Sequence, residues 1–136
     1  MRLAHVMLRV NDLEQSIDFY TTMFDMKVLK KSTNEAYAYT LVFLGYHDIT
    51  NETVLELTYN WDQHEYDHGQ AFGHLCFEVN DVAKTCQEIH AKGGTITRPA
   101  GPVKGGQSII AFVKDPNGYA IELIQRESNH SDESLG

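Results

Sequence analysis

The sequence predicts an α+β fold made of two repeated β-α-β-β-β modules. Three features carry that expectation: an internal duplication, a strand followed by a capped helix at the start of each copy, and paired β-rich apolar runs at its end. The duplication is direct, since Ala4 to Val28 lies over Gly73 to Thr97 at a constant offset of 69 without a gap. In that register His5 meets His74, and Val10-Asn11-Asp12 meets Val79-Asn80-Asp81. Leu13, Ile17 and Tyr20 meet Val82, Cys86 and Ile89.

Each copy opens on an apolar stretch that reads as a strand. Asn11-Asp12 or Asn80-Asp81 then offers side-chain oxygens to cap a following helix, whose apolar residues recur at spacings of four and three. Gly93-Gly94 ends the second helix, as residues without a penalty for positive φ should. Two β-rich runs follow each helix, Tyr39 to Leu44 and Thr53 to Tyr59, then Ser108 to Val113 and Tyr119 to Gln125. A further, weaker strand is expected near Lys27 to Lys31 and near Thr95 to Arg98. Asp115-Pro116-Asn117-Gly118 marks a tight turn between the last two strands, because Pro fixes φ and Asn-Gly tolerates left-handed geometry. The modules, about 1–60 and 73–126, are expected to form one domain over 1–126, joined by a polar linker at 61–72. The acidic tail at 127–136 has little to bury and is expected to be disordered.

Bulk properties narrow the function classes. A 136-residue chain with 42% hydrophobic content can bury the core of one ordinary domain. Its formal charge of -8 offers no basic footprint for nucleic acid or anionic lipid. Arg2, Arg9 and Asp12 interrupt the first twelve residues, which therefore lack the apolar run of a signal peptide or membrane helix, so a cytoplasmic location is expected. Cys76 and Cys86 are too few for a disulfide scaffold and lack zinc-ribbon spacing; both are expected to be reduced packing residues.

Four candidate metal ligands fall at matched places. His5 and His74 open the two copies, while Glu56 and Glu122 lie in their last strands, within Val54-Leu55-Glu56-Leu57 and Ala120-Ile121-Glu122-Leu123. Singly, each has an ordinary alternative as a half-buried strand histidine or a glutamate turned to water. A carboxylate in so apolar a setting is nevertheless costly to bury without a cation or hydrogen-bond donor. Two His and two Glu from equivalent strands make a mixed nitrogen and oxygen set suited to divalent first-row metals, with positions open for substrate once waters complete the sphere. His47, His64, His68, His90 and His130 lack that symmetric context and are expected at the surface.

With these residues in place, the chain resembles the vicinal oxygen chelate superfamily and, within it, the short bacterial form of the glyoxalase I family. The similarity covers nearly all of Met1 to Gln125. It is carried by His5-Val6-Met7-Leu8-Arg9-Val10, Leu55-Glu56-Leu57-Thr58-Tyr59-Asn60, Gly73-His74, and Asp115-Pro116-Asn117-Gly118 leading to Ile121-Glu122-Leu123. The resemblance implies a homodimer whose metal sites lie at the subunit interface, with His5 and Glu56 from one chain and His74 and Glu122 from the other. Spacing alone leaves open that the four residues meet within one chain. Arg9 and Asn60 are implied as glutathione contacts, with Lys104 assisting from a loop. Independently, strand alternation puts Arg9 on the face of His5, and Asn60 on that of Glu56 if the strand extends so far.

The implied reaction isomerises the hemithioacetal of methylglyoxal and glutathione to S-lactoylglutathione by moving a proton from C1 to C2. Glu122 is the first choice for the base, with Glu56 as its counterpart across the substrate. The donor set accommodates nickel, cobalt, zinc or manganese; similarity to the short bacterial form favours nickel. Two alternatives are a metalloenzyme resembling methylmalonyl-CoA epimerase and a metal-free protein of the same fold that sequesters a small molecule or drug. Arg9 with Asn60 favours glutathione over the former, and four symmetric ligands argue against the latter.

Overall fold

A computed structural model of the chain describes residues 1–127, and the expected disorder of the tail falls almost wholly outside them. The chain divides into two compact units, Met1–Phe72 and the residues from Gly73 onward. The first runs β1 (His5–Arg9), α1 (Leu13–Met23), β2 (Lys27–Asn34), β3 (Tyr39–Gly45) and β4 (Val54–Asn60). Its sheet has the order β1-β4-β3-β2, with β1 parallel to β4 and the remaining pairs antiparallel. The second runs β5 (Leu75–Val79), α2 (Val82–Ala91), β6 (Thr95–Pro102), β7 (Ile109–Lys114) and β8 (Ala120–Gln125), in the same order β5-β8-β7-β6. Its strand directions match those of the first. Among the described residues no helix is long and apolar enough to cross a membrane.

Both helices start where the Asx residues direct. Asp12 accepts from the Gln15 amide and Asp81 from the Lys84 amide, each at 3.0 Å, a cap worth about 1 kcal/mol. The second helix ends through Gly93 at φ 89°, and a Cβ on Gly94 would collide with the Ile89 side chain. The first instead turns through Asp25 at φ 56°, while the Tyr46 hydroxyl donates to the Phe24 carbonyl at 2.8 Å.

Alternation along each strand separates two faces. Leu8 and Val10 at the β1 end, Val42 and Leu44 of β3, and Leu55 and Leu57 of β4 are buried, as are Leu13, Phe19 and Tyr20 of α1. In the second unit Ala111, Val113, Ile121 and Leu123 are buried with Val82 and Ile89 of α2. Each such aliphatic side chain, withdrawn from water, contributes about 1.5–3 kcal/mol. The other face of each sheet carries the polar candidates.

The strands expected to be weak are complete eight-residue edge strands. β2 is signposted poorly because its exposed lysines, Lys27, Lys30 and Lys31, serve an edge that must not pair further. β6 contains Pro99 and Pro102, and its register against β7 shifts between Ile96 and Gly101. The Arg98 guanidinium takes up carbonyls around that irregularity, donating to Pro99, Gly101, Ile110 and Pro102 at 3.1, 2.9, 3.0 and 2.7 Å. Arg98→Ala should therefore cost about 2 kcal/mol, measured as a lowered urea midpoint at unchanged slope. Arg98→Lys should recover only part of it, because an ammonium lacks the planar fork; an unshifted midpoint for Arg98→Ala would show that water replaces these bonds without cost.

The Asp115-to-Gly118 turn forms as expected, with Gly118 at φ 94° and the buried Asp115 carboxylate accepting from the Asn117 and Tyr119 amides at 2.8 and 2.9 Å. It delivers the chain into β8 and so sets the position of Glu122.

Candidate metal centre

Backbone register places each glutamate beside the first strand of its own unit. In the first unit Met7 of β1 and Phe43 of β3 flank Glu56. Cys76 of β5 and Phe112 of β7 flank Glu122 in the second. His5 begins β1, whereas His74 stands one residue ahead of β5. Despite that difference, both imidazoles reach their carboxylates, with His5 Nε2 3.2 Å from Glu56 Oε1 and His74 Nε2 3.0 Å from Glu122 Oε1.

An aromatic edge completes each half. His5 meets the Phe43 ring edge-on at 5.7 Å between centroids, and His74 meets Phe112 at 5.2 Å. These phenylalanines escaped the sequence reading, although they stand at the same offset of 69 as the histidines. They confine each imidazole from one side without competing for its nitrogens.

The side-chain exposures are 44% for His5 against 11% for Glu56, and 40% for His74 against 18% for Glu122. Each pair thus joins a sheltered carboxylate to an imidazole open to solvent. Ligands at right angles on a divalent metal, with bonds of about 2.1 Å, stand about 3 Å apart. That is the spacing of both pairs; without metal it equally serves a hydrogen bond. Among the described residues no group of three or more His, Cys, Asp or Glu side chains is arranged to hold a metal ion; each unit brings together one His–Glu pair.

Of the remaining candidates, Arg9 and Asn60 lie on the first sheet and Lys104 on a loop. Arg9 follows His5 and Met7 along β1 and is exposed. Asn60 ends β4, confirming that the strand reaches that far, and its amide donates to the Tyr66 hydroxyl at 3.0 Å. Lys104 is exposed between β6 and β7, in a loop with Gly105 at φ 81°. Glu56 has a companion that the sequence reading missed: the buried Thr58 hydroxyl donates to its Oε2 at 2.8 Å.

Cys76 is less inert in position than expected, being exposed and beside Glu122. Burial of the sulfur, reinforced by the Glu122 charge, pushes its pKa up to about 11, so it stays a thiol at neutral pH. Cys86 is likewise free and half-buried. Of the other histidines, His47, His64 and His90 are exposed, His68 is half-buried rather than on the surface, and His130 lies outside the described residues.

Comparison with known proteins converges on one family. Residues 2–123 match the family model described as the Glyoxalase/Bleomycin resistance protein/Dioxygenase superfamily. The chain is 54% identical over 127 residues to the lactoylglutathione lyase of Escherichia coli O157:H7, covering 93% of this chain and 94% of that one. It is 55% identical over 125 residues to the lactoylglutathione lyase of Salmonella typhimurium, covering 92% and 93%. Among solved structures, glyoxalase I from Zea mays superimposes with a TM-score of 0.90 at 46% identity over 93% of this chain. This chain spans 45% of the length of that maize chain. The trypanothione-dependent glyoxalase I of Leishmania major has a TM-score of 0.86 at 39% identity, covering 99% of this chain and 94% of that one.

Proposed function

The chain belongs to the glyoxalase/bleomycin resistance protein/dioxygenase superfamily, and from that premise we propose that it is a lactoylglutathione lyase, isomerising the hemithioacetal of methylglyoxal and glutathione to S-lactoylglutathione. The observation that carries this reading is the pair of equivalent His–Glu half-sites in a chain that shares more than half its residues with lactoylglutathione lyases.

His5, Glu56, His74 and Glu122 would hold one divalent metal per site, with nickel as the resident ion. Since each unit offers two ligands, a full set needs one unit of each kind. The proposed assembly is a homodimer in which one protomer contributes His5 and Glu56 and its partner supplies the equivalents of the second unit. When bound, the metal supplies Lewis-acid stabilisation of the negative charge that develops on the two neighbouring oxygens of the substrate.

Everything else falls to the chain. Arg9 presents a cationic fork to a glutathione carboxylate, and Asn60 can exchange its bond with Tyr66 for one to the peptide or amino groups. Lys104, exposed on the loop between β6 and β7, would assist by closing over an anion. Glu122 takes the proton from C1 and returns it to C2, with Glu56 on the opposite side of the substrate. Such a reaction detoxifies methylglyoxal.

The test is thioester formation from methylglyoxal and glutathione by apoprotein reloaded separately with nickel, cobalt, zinc or manganese. Chelated protein should be inactive, and nickel should restore the highest rate. No thioester with any of these metals would sink the lyase reading. Epimerisation of a coenzyme A thioester under the same conditions would move the site to the epimerase chemistry instead.

A further inference from the structure

The two carboxylates occupy equivalent places in the fold, but their surroundings differ at one position. Two residues beyond Glu56, on the same face of β4, stands Thr58; two beyond Glu122, on the same face of β8, stands Ile124. The Thr58 side chain is buried, and its hydroxyl donates to Glu56 Oε2 at 2.8 Å. The other oxygen of that carboxylate faces His5 at 3.2 Å. Both Glu56 oxygens are thereby engaged. Ile124 offers no donor; beside its contact with His74, Glu122 is hydrogen-bonded among the described residues only by the Cys76 thiol, a weaker donor than a hydroxyl.

We propose that Thr58 is a positioning residue that holds Glu56 in one orientation, as the carboxylate that would serve as a fixed ligand, and that Ile124 at the matching place leaves Glu122, bonded more weakly by the Cys76 thiol, able to reorient and carry the proton. The division of work between two symmetric glutamates is then set by the residue two places after each. This rests on the metal site proposed above and adds to it a reason for the inequality of its halves. A hydroxyl bonded to a buried ligand carboxylate fixes the carboxylate plane before metal arrives, and loss of such outer partners typically costs about 10–100-fold in metal affinity. The same bond on the mobile carboxylate would oppose its release.

Three variants test this, Thr58→Val, Thr58→Ser and Ile124→Thr, each first confirmed as folded by its thermal midpoint. Nickel affinity is measured on apoprotein by competition with a chromophoric chelator, a readout independent of turnover. Thr58→Val, which keeps the shape and removes the donor, should bind nickel about 10–100-fold more weakly. Thr58→Ser should stay within about threefold of the parent, since the hydroxyl is restored. Ile124→Thr should bind nickel at least as tightly, yet at saturating nickel lose about tenfold in kcat with little change in KM. Parent-like affinity in Thr58→Val, or equal losses in the Val and Ser variants, would make Thr58 a packing residue and overturn the proposal. An Ile124→Thr enzyme with parental kcat would overturn the division of work. A parent that binds no nickel removes the metal site and the role of Thr58 with it. One that binds nickel without forming thioester overturns the lyase reading while the affinity arm still decides Thr58.

Discussion

Glu122→Gln is expected to turn over roughly 10²–10⁴-fold more slowly than the parent at saturating metal, the loss typical of removing a general base. The amide keeps the shape and one oxygen donor, but it cannot accept a proton at neutral pH. Its effect should therefore fall on kcat, with a smaller change in the affinity for an unreactive glutathione-derived inhibitor. Some metal affinity should also be lost, because a neutral oxygen replaces the charge beside His74, and the comparison is valid only once added metal no longer raises the rate. Arg9→Ala supplies the contrasting pattern. A guanidinium that holds a carboxylate remote from the reacting carbons contributes mainly to binding, so KM should rise while kcat falls little. A metal-saturated Glu122→Gln enzyme running at the parental rate would remove Glu122 as the base and transfer that role to Glu56.

The second large effect concerns assembly. His5→Ala and His74→Ala should each lose tight metal binding and activity while remaining folded, because most of the buried apolar side chains of both units lie on the opposite faces of their sheets and both histidines are exposed. Mixed and allowed to exchange subunits, the two inactive proteins should regain activity. One site of the mixed dimer carries both lesions and the other carries none. Random exchange of equal amounts makes half the dimers mixed, each with one intact site, so recovery should approach about a quarter of the parental activity. Demonstrable heterodimers without returning activity would refute the shared site, whereas stoichiometric metal held at full affinity by both variants would refute the ligand set itself.

Much of this architecture was legible because the duplication made each half a check on the other. Asn11-Asp12 and Asn80-Asp81 could be read as capping pairs from their matched positions, and the aspartate of each pair is the cap. The strands that carry Glu56 and Glu122 announced themselves as apolar runs, since their helix-facing sides are buried. The edge strands were harder, because lysines in β2 and prolines in β6 are what an unpaired sheet edge uses against further pairing, and those residues weaken a strand pattern. His74 was read as lying within its strand, and it stands just ahead of β5, a one-residue difference that pattern alone does not resolve.

What the repeat concealed was its own asymmetry. Phe43 and Phe112 obey the symmetry and could have been found by extending the alignment beyond the helices. Thr58 breaks it, so a search for matched residues passes over it. In sequence, Thr58 in a β-rich run is an ordinary strand residue; only the hydroxyl's contact with Glu56 sets it apart.

The pairing of Met7 with Glu56, and of Cys76 with Glu122, carries a consequence for which changes of length these segments can survive. Side chains along a strand obey parity, so inserting one residue between Val54 and Glu56 would turn the carboxylate toward the helix-facing side and bring an aliphatic neighbour out in its place. One indel would then strip a ligand from the site and drive a charge into the core. Inserting two residues would restore the side but carry the carboxylate about 7 Å along the strand, beyond reach of His5. The stretches from β1 and from β4 are thus closed to length variation of either parity. Residues 61–72, which contain no strand or helix, are where lineages of this chain can gain or lose residues without moving a single ligand within its own sheet.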